Sequence, residues 1–306
     1  MRSHEETKVN VSVVVPVGGD HNNIERCLTA IMDQSFKDHE ILVIDGSSSD
    51  PVEKIIRKFQ KRCKRLKLSS GDFFSISELR NRGIMESRAD IILMTNPDCE
   101  APRDWIERII EPLLSGEDIV QGGTMTSSRR SWSYLHQLGK ERLKKKSSKS
   151  DNIGYLDMRN IAFRKSALIE IGMFDRNVRN LEGLDIKLRA RRYGLKIRYL
   201  PDSVVSQYVD LDLRDLFLKW VELGKWIYFI YSMNKPGTKK SDDRLFNTLS
   251  LKSFILFVPG ILLVFFRYGL SHFLSEIICG TALRTGIIVG IFGKEKFLRS
   301  IQTKYY

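Results

Sequence analysis

The residues best suited to chemistry stand where the apolar segments of this chain give out. Asn96-Pro97-Asp98-Cys99-Glu100 lies just past the apolar run Ile91-Ile92-Leu93-Met94. A carboxylate at the carboxyl end of a buried strand borders the crevice in which open α/β sheets bind ligands. Asp98 is a hard oxygen ligand that suits magnesium or manganese, and magnesium commonly takes few protein ligands and completes its shell with phosphate oxygens. Its competing use is to cap the helix that follows. Asp45, closing the apolar segment 40–44, can accept the ring N–H of a uracil-like base, or simply shape a turn. Arg80 is a permanently charged, forked donor that can reach a diphosphate or a base; otherwise it is a solvated helix charge.

The elements that must hold these groups alternate along the chain. Segment 9–15 is β-branched and apolar and ends at Pro16 and Gly18-Gly19, which reads as a buried strand entering a loop. Asn22 or Asn23 can cap the next helix, where Ile24, Cys27, Leu28 and Ile31 recur at helical spacing. A second strand over 40–44 gives way to the turn-rich 46–51, and Pro51 opens a helix with Ile55, Ile56 and Phe59 on one face. The alternation continues through 66–68, 76–86, 90–94 and 105–114, which argues for a mostly parallel sheet wrapped by helices. After Gly123 the pattern predicts a helix over 132–143, a mobile lysine-rich loop over 144–151, a strand entering a short helix over 159–171, and a helix over 184–193 stopped by Gly194.

The chain has 306 residues and a formal charge of +13, which favours acidic partners: nucleic acid, an anionic membrane face or phosphate-bearing substrates. Arg189-Ala190-Arg191-Arg192 raises the first of these, but no nucleic-acid module accompanies it. No GxGxxG follows the first strand, which argues against a dinucleotide-dependent oxidoreductase. Cys27, Cys63, Cys99 and Cys279 are scattered without metal-site spacing and read as reduced cytosolic thiols. The polar first ten residues lack the apolar core of a signal peptide, so the catalytic part is expected to face the cytoplasm. Arg129, Arg130, Lys144, Lys145, Lys146 and Lys149 can meet a lipid-linked diphosphate or anionic headgroups, or form a solvated charge run.

Taken in order, several segments resemble the family 2 glycosyltransferases over about residues 10–230. Val13-Val14-Val15-Pro16-Val17 with Asp20 is similar to the family's first strand and acidic loop, and 40–50 to its second strand and aspartate turn. Arg80-Asn81-Arg82-Gly83 is similar to the Arg-Asn-x-Gly helix, and Asn96-Pro97-Asp98 stands where an Asp-x-Asp motif is usual. Arg164-Lys165 and 172–175 resemble the segment before the acceptor site, and 182–189 stands where Glu-Asp-x-Asp-Leu-x-x-Arg is expected. The resemblance implies a GT-A, Rossmann-like fold, a mostly parallel mixed sheet flanked by helices. It also implies an inverting transfer from a nucleotide-sugar donor.

On this reading Pro16, Asp20, Asp45, Arg80, Asn96 and Asp98 bind the nucleotide sugar, and Asp98 holds Mg2+ or Mn2+. Arg164, Arg189 and Gln207 contact the acceptor or diphosphate. Glu182 or Asp185, three apart and on one face if both are helical, supplies the base for the acceptor hydroxyl. Glu182 is preferred, because Asp185 can equally serve the helix dipole in the first turn. Three departures stand in this site: Asn96 for the first carboxylate, Gly183 for the usual catalytic aspartate, and Gln207 near where many relatives carry a histidine. They also support a rival reading, a catalytically weak or inactive relative that binds a glycan or scaffolds a partner enzyme.

A boundary is expected near residue 235, giving a catalytic domain over 1–235 and a membrane-associated region over 236–306. The latter carries two hydrophobic blocks, 253–266 and 273–292, with Lys and Arg on both flanks. The first spans about 14 residues, short of the ~20 of a full crossing. A hairpin or re-entrant helical pair with both ends cytoplasmic fits the flanking charge. The expected function is sugar transfer to a lipid-linked or growing glycan acceptor at the cell membrane, with the catalytic domain cytoplasmic and no nucleic-acid partner.

Overall fold

The computed structural model describes residues 10–18, 23–46, 50–73, 75–128, 131–144, 153–234, 257, 264 and 269–302. They belong to two compact units. The first comprises 1–125, 157–176 and 193–208, and the second 126–156, 177–192 and 209–306. The boundary expected near 235 and the lysine-rich loop after residue 144 lie outside the described residues.

The first unit is built on one eight-stranded sheet. Its first half alternates as expected: β1 (Val11–Val17), α1 (Ile24–Met32), β2 (His39–Asp45), α2 (Asp50–Gln60), β3 (Leu66–Ser70), α3 (Ile76–Glu86) and β4 (Ile91–Met94). The short β5 (Cys99–Glu100), α4 (Trp105–Leu114) and β6 (Ile119–Ser127) follow. After α5 (Ser131–Lys144) of the second unit come β7 (Ile161–Arg164) and α6 (Lys165–Glu170). The helix α7 (Glu182–Arg192) again belongs to the second unit, and β8 (Ile197–Tyr208) closes the sheet. Strand order is β3-β2-β1-β4-β7-β6-β8-β5. β3, β2, β1 and β4 are parallel, whereas β7 runs antiparallel to β4 and β6, and β5 antiparallel to β8.

All seven residues of β1 and of β2 are buried, as strands covered on both faces must be. Val11, Val13 and Val15 meet Ile41, Val43, Leu93 and Trp105 in one core. Asn23 stands at the N-cap of α1 but makes no side-chain cap bond, so that expectation held for position and not for chemistry. Ser75 does cap α3: its hydroxyl accepts the Glu78 N–H at 3.3 Å. The strands β6 and β8 were not legible beforehand. In β8 the sequence Pro201-Asp202 interrupts the apolar pattern, and burial alternates cleanly only after it.

In the second unit α8 (Leu213–Met233) packs on a continuous helical segment made of α9 (Leu270–Ser275), a π-helical turn (Glu276–Gly280) and α10 (Thr281–Gln302). A methyl added at Gly286 would lie 1.8 Å from the Val221 carbonyl oxygen, so only glycine permits this approach. The stretch Leu270–Gly293 matches the second hydrophobic block and has the length and mean hydropathy, 1.5, of a membrane-crossing helix. The first block lies outside the described residues except for 257 and 264.

α3 is seated on β1 through Gly83, where a Cβ would fall 2.4 Å from the Val14 Cγ1. In a solvent-facing helix Gly→Ala would gain up to ~1 kcal/mol of propensity. Here overpacking costs about 1–3 kcal/mol and wins. Gly83→Ala is therefore predicted to lower the thermal midpoint, and adding Val14→Ala to recover part of the loss. A second prediction concerns Glu40, which is 1% exposed. Burial alone would raise its pKa, but the Arg88 N–H, the Ser12 hydroxyl, Lys67 and the Arg88 guanidinium together hold it below 4.5. Its contribution is thus complete above 4.5 and lost as pH falls through the depressed folded value. Urea midpoints should fall less steeply with acid in Glu40→Gln, from a lower starting value at pH 7.

Candidate active site

Strand order reverses at β1, with β2 on one side and β4 on the other, and the carboxyl ends of all three lie on one edge of the sheet. This is the topological position at which open sheets leave a crevice. Val17 stands in register with Asp45, while pairing with β4 stops at Val14↔Met94. The Thr95 N–H still reaches the Val14 carbonyl at 3.3 Å, so residues of Val14's parity turn their backbone toward β4. Pro16 has that parity and lies beyond the last β4 pair, so its missing N–H removes no ladder bond. Asp20 lies outside the described residues.

Asp45 ends β2 and is 2% exposed. Arg80, equally buried on α3, points an Nη2 donor at the Asn96 Oδ1, 3.4 Å away, and its guanidinium carbon lies 5.7 Å from the centre of the Phe174 ring. The next residue, Asn81, clasps the Phe174 backbone with two hydrogen bonds. Its Nδ2 donates to the Phe174 carbonyl at 2.8 Å and its Oδ1 accepts the Phe174 N–H at 2.9 Å. For Asn81 the available signal in the sequence is its place in the Arg-Asn-x-Gly run. Met173, just before Phe174, has φ +57° and carries the backbone strain that often marks functional positions.

Asp98 follows on the same edge. Its Oδ2 accepts from the Gln207 Nε2 at 2.6 Å, and among the described residues its Oδ1 has only the Cys99 thiol, at 3.4 Å. β5 and β8 bring this about, because Cys99 pairs with Gln207 and the Tyr208 N–H donates to the Asp98 carbonyl at 2.8 Å. Burial, and after it the Asp98 charge, pushes the Cys27 and Cys99 thiols well above their ordinary range, so both stay protonated. Among the described residues no group of three His, Cys, Asp or Glu side chains gathers into a metal site. The donor set that remains is one carboxylate with one open oxygen. It fits a hard divalent cation that takes most of its ligands from a bound diphosphate and water.

Two residues expected to contact the acceptor or diphosphate have protein partners in this structure. Arg164 stands in register with Ile91, at the opposite end of β4 from Asn96 and Asp98. Its guanidinium is spent on the Glu117 carbonyl, 2.9 Å away, and on the Leu113 carbonyl at the C-terminal end of α4, where a cation complements the exposed carbonyls. It does not enter the crevice. Gln207 does reach it, but its amide is turned to Asp98 and to Arg159.

The remaining candidates lie on α7 in the second unit. Asp185 is 5% exposed and held by Arg189, 2.5 Å away, and by the Asn234 Nδ2 at 3.1 Å. Arg189 is accordingly committed to Asp185 within its own helix. Glu182 opens α7 in a half-buried position, straight after Leu181, whose φ is +57°.

Comparison with known proteins agrees with this architecture. Glycosyltransferase AglE of Haloferax volcanii is 25% identical over 243 residues, covering 75% of this chain and 77% of AglE. The undecaprenyl-phosphate 4-deoxy-4-formamido-L-arabinose transferase of Aeromonas hydrophila is 27% identical over 128 residues, 40% of this chain and 39% of that enzyme. Among solved structures, the mannosyltransferase PcManGT from Pyrobaculum calidifontis, in complex with GDP-Man and Mn2+, superposes with a TM-score of 0.67 at 15% identity. That superposition covers 94% of this chain and 89% of PcManGT, a likeness of fold. The family profile described as glycosyl transferase family 2 matches residues 12–172, more than half of the sequence. The chain belongs to glycosyl transferase family 2 and is a glycosyltransferase of GT-A fold.

Proposed function

We propose that this enzyme moves a sugar from a nucleotide-sugar donor to a lipid-linked or growing glycan acceptor at the cytoplasmic face of a membrane, with inversion at the transferred carbon. The observation that carries the reading is the gathering of Asp45, Arg80, Asn96 and Asp98 at one sheet edge. Asp45 accepts the ring N–H of the base, and Arg80 offers its fork to the diphosphate. Asp98 is the protein ligand for a divalent cation, whose charge, when bound, stabilises the departing diphosphate. The manganese and sugar nucleotide in the PcManGT structure support this donor class.

Glu182 takes the proton of the acceptor hydroxyl. It is preferred to Asp185, which can equally serve the helix dipole in the first turn of α7. An acceptor that is already an anion, such as a lipid phosphate, makes this base dispensable. The undecaprenyl-phosphate substrate in the name of the Aeromonas relative favours such an acceptor. Membrane attachment rests on Leu270–Gly293 and on Ile288, Val289, Ile291 and Phe292, which stand exposed on α10.

Nucleotide release measured with a panel of sugar nucleotides, Mn2+ and a membrane lipid extract tests the transfer. Asp98→Ala is predicted to reduce turnover by on the order of 10²–10³-fold. Glu182→Gln should reduce it by roughly 10²–10⁴-fold with a hydroxyl acceptor and leave it nearly unchanged with a polyprenyl phosphate. Full turnover in Asp98→Ala would reject the assignment. Membrane attachment predicts that the full chain sediments with vesicles containing anionic lipid and is released by detergent but not by high salt; recovery in the supernatant without detergent contradicts it.

A further inference from the structure

Behind Asp98 and Gln207 lies a buried ion pair with no part in the reading above. Asp157 and Arg159, 4% and 5% exposed, form an ion pair in the turn before β7, with the Arg159 Nε 2.7 Å from the Asp157 Oδ1. The turn is pinned by the Thr124 hydroxyl on the Asp157 Oδ2 and by the Asp157 N–H on the Gln121 Oε1. From there the Arg159 Nη1 donates to the Gln207 Oε1, and the Gln207 Nε2 donates to the Asp98 Oδ2. All of these residues belong to the first unit.

The orientation of the Gln207 amide follows from its neighbours. A guanidinium has only donors and a carboxylate only acceptors, so the amide oxygen must face Arg159 and the amide nitrogen Asp98. We propose that Arg159 is a positioning residue for cation binding: by holding the Gln207 oxygen, it keeps the amide nitrogen on the Asp98 Oδ2 and leaves the Oδ1 as the oxygen offered to the metal. Gln207 is thereby a support for the ligand and is itself withheld from the cation. The proposal rests on the donor-binding role of Asp98. Outer groups that orient a metal ligand typically change metal affinity by about 10–100-fold when removed.

The test uses the full chain and reads Mn2+ binding by electron paramagnetic resonance in the presence of UDP or GDP, with no turnover required. Gln207→Leu breaks the link to Asp98 while sparing the buried Asp157–Arg159 pair. Arg159→Met combined with Asp157→Asn removes both charges together, so neither is left buried alone. Each variant is predicted to bind Mn2+ about 10–100-fold more weakly. The triple variant should be no weaker than either, because the residues act through one bond. Metal-free nucleotide binding by Gln207→Leu should stay close to wild type, which a merely structural role would not predict. Wild-type Mn2+ affinity in both variants, with binding lost in Asp98→Ala, overturns the role of Arg159 alone. Absence of Mn2+ binding in the wild-type chain with either nucleotide overturns the Asp98 reading as well.

Discussion

The reversal of strand order at β1 is the constraint on which the rest of the first unit depends. Because β2 departs on one side of β1 and β4 arrives on the other, the connecting helices cannot cover the carboxyl edge between them. Asp45 therefore ends β2, and Asp98 follows β4, at an opening and not in a core, although Asp45 is nearly as buried as the valines of β1. Pro16 marks the same place from the strand's side, since it stands where the ladder with β4 has already stopped. Gly83 then lets α3 lie against β1 closely enough for Arg80 to face Asn96. Fold and site are linked through these few close approaches.

Around Asp98 the edge is less negative than an Asp-x-Asp pair would make it. Asn96 contributes an amide oxygen to Arg80, and Gln207 contributes an amide nitrogen to Asp98, so two neutral groups flank one carboxylate. A single formal charge attracts a cation more weakly than two, so the proposed metal would depend chiefly on phosphate oxygens for the rest of its ligands. It also raises the value of keeping the one carboxylate correctly turned. The buried Asp157–Arg159 pair is costly to desolvate, and orienting Gln207 is the use proposed for it.

Much of this was legible beforehand. The parallel half of the sheet, α3, α4 and α7 follow from uninterrupted apolar periodicity, and their observed bounds differ from the expected ones by a residue or two at most. Asp45, Arg80 and Asp98 stand out in the sequence because each is a polar residue on, at the end of, or just past a strongly patterned element, and the structure carries all three on the first unit. What escaped were groups whose meaning depends on distant partners. β8 is broken by Pro201-Asp202 and half exposed, so the pairing that sets Gln207 beside Cys99 has no local signature. Arg159 meets Gln207 from 48 positions away, and nothing around Asp157-Met158-Arg159 announces an ion pair. Arg164 shows the converse: a basic residue within a matching segment reads as a ligand contact, whereas the antiparallel register of β7 carries it to the opposite end of β4.

The central claim is that one carboxylate on this edge, turned by Gln207, meets the diphosphate of a sugar nucleotide through a divalent cation. A crystal structure of the chain soaked with Mn2+ and UDP or GDP tests it most directly. The account predicts anomalous density for manganese at the Asp98 Oδ1, bridged to the phosphates, with the Gln207 Nε2 still on the Oδ2. Manganese bound away from Asp98, or a nucleotide seated outside the crevice between β1 and β4, would contradict it.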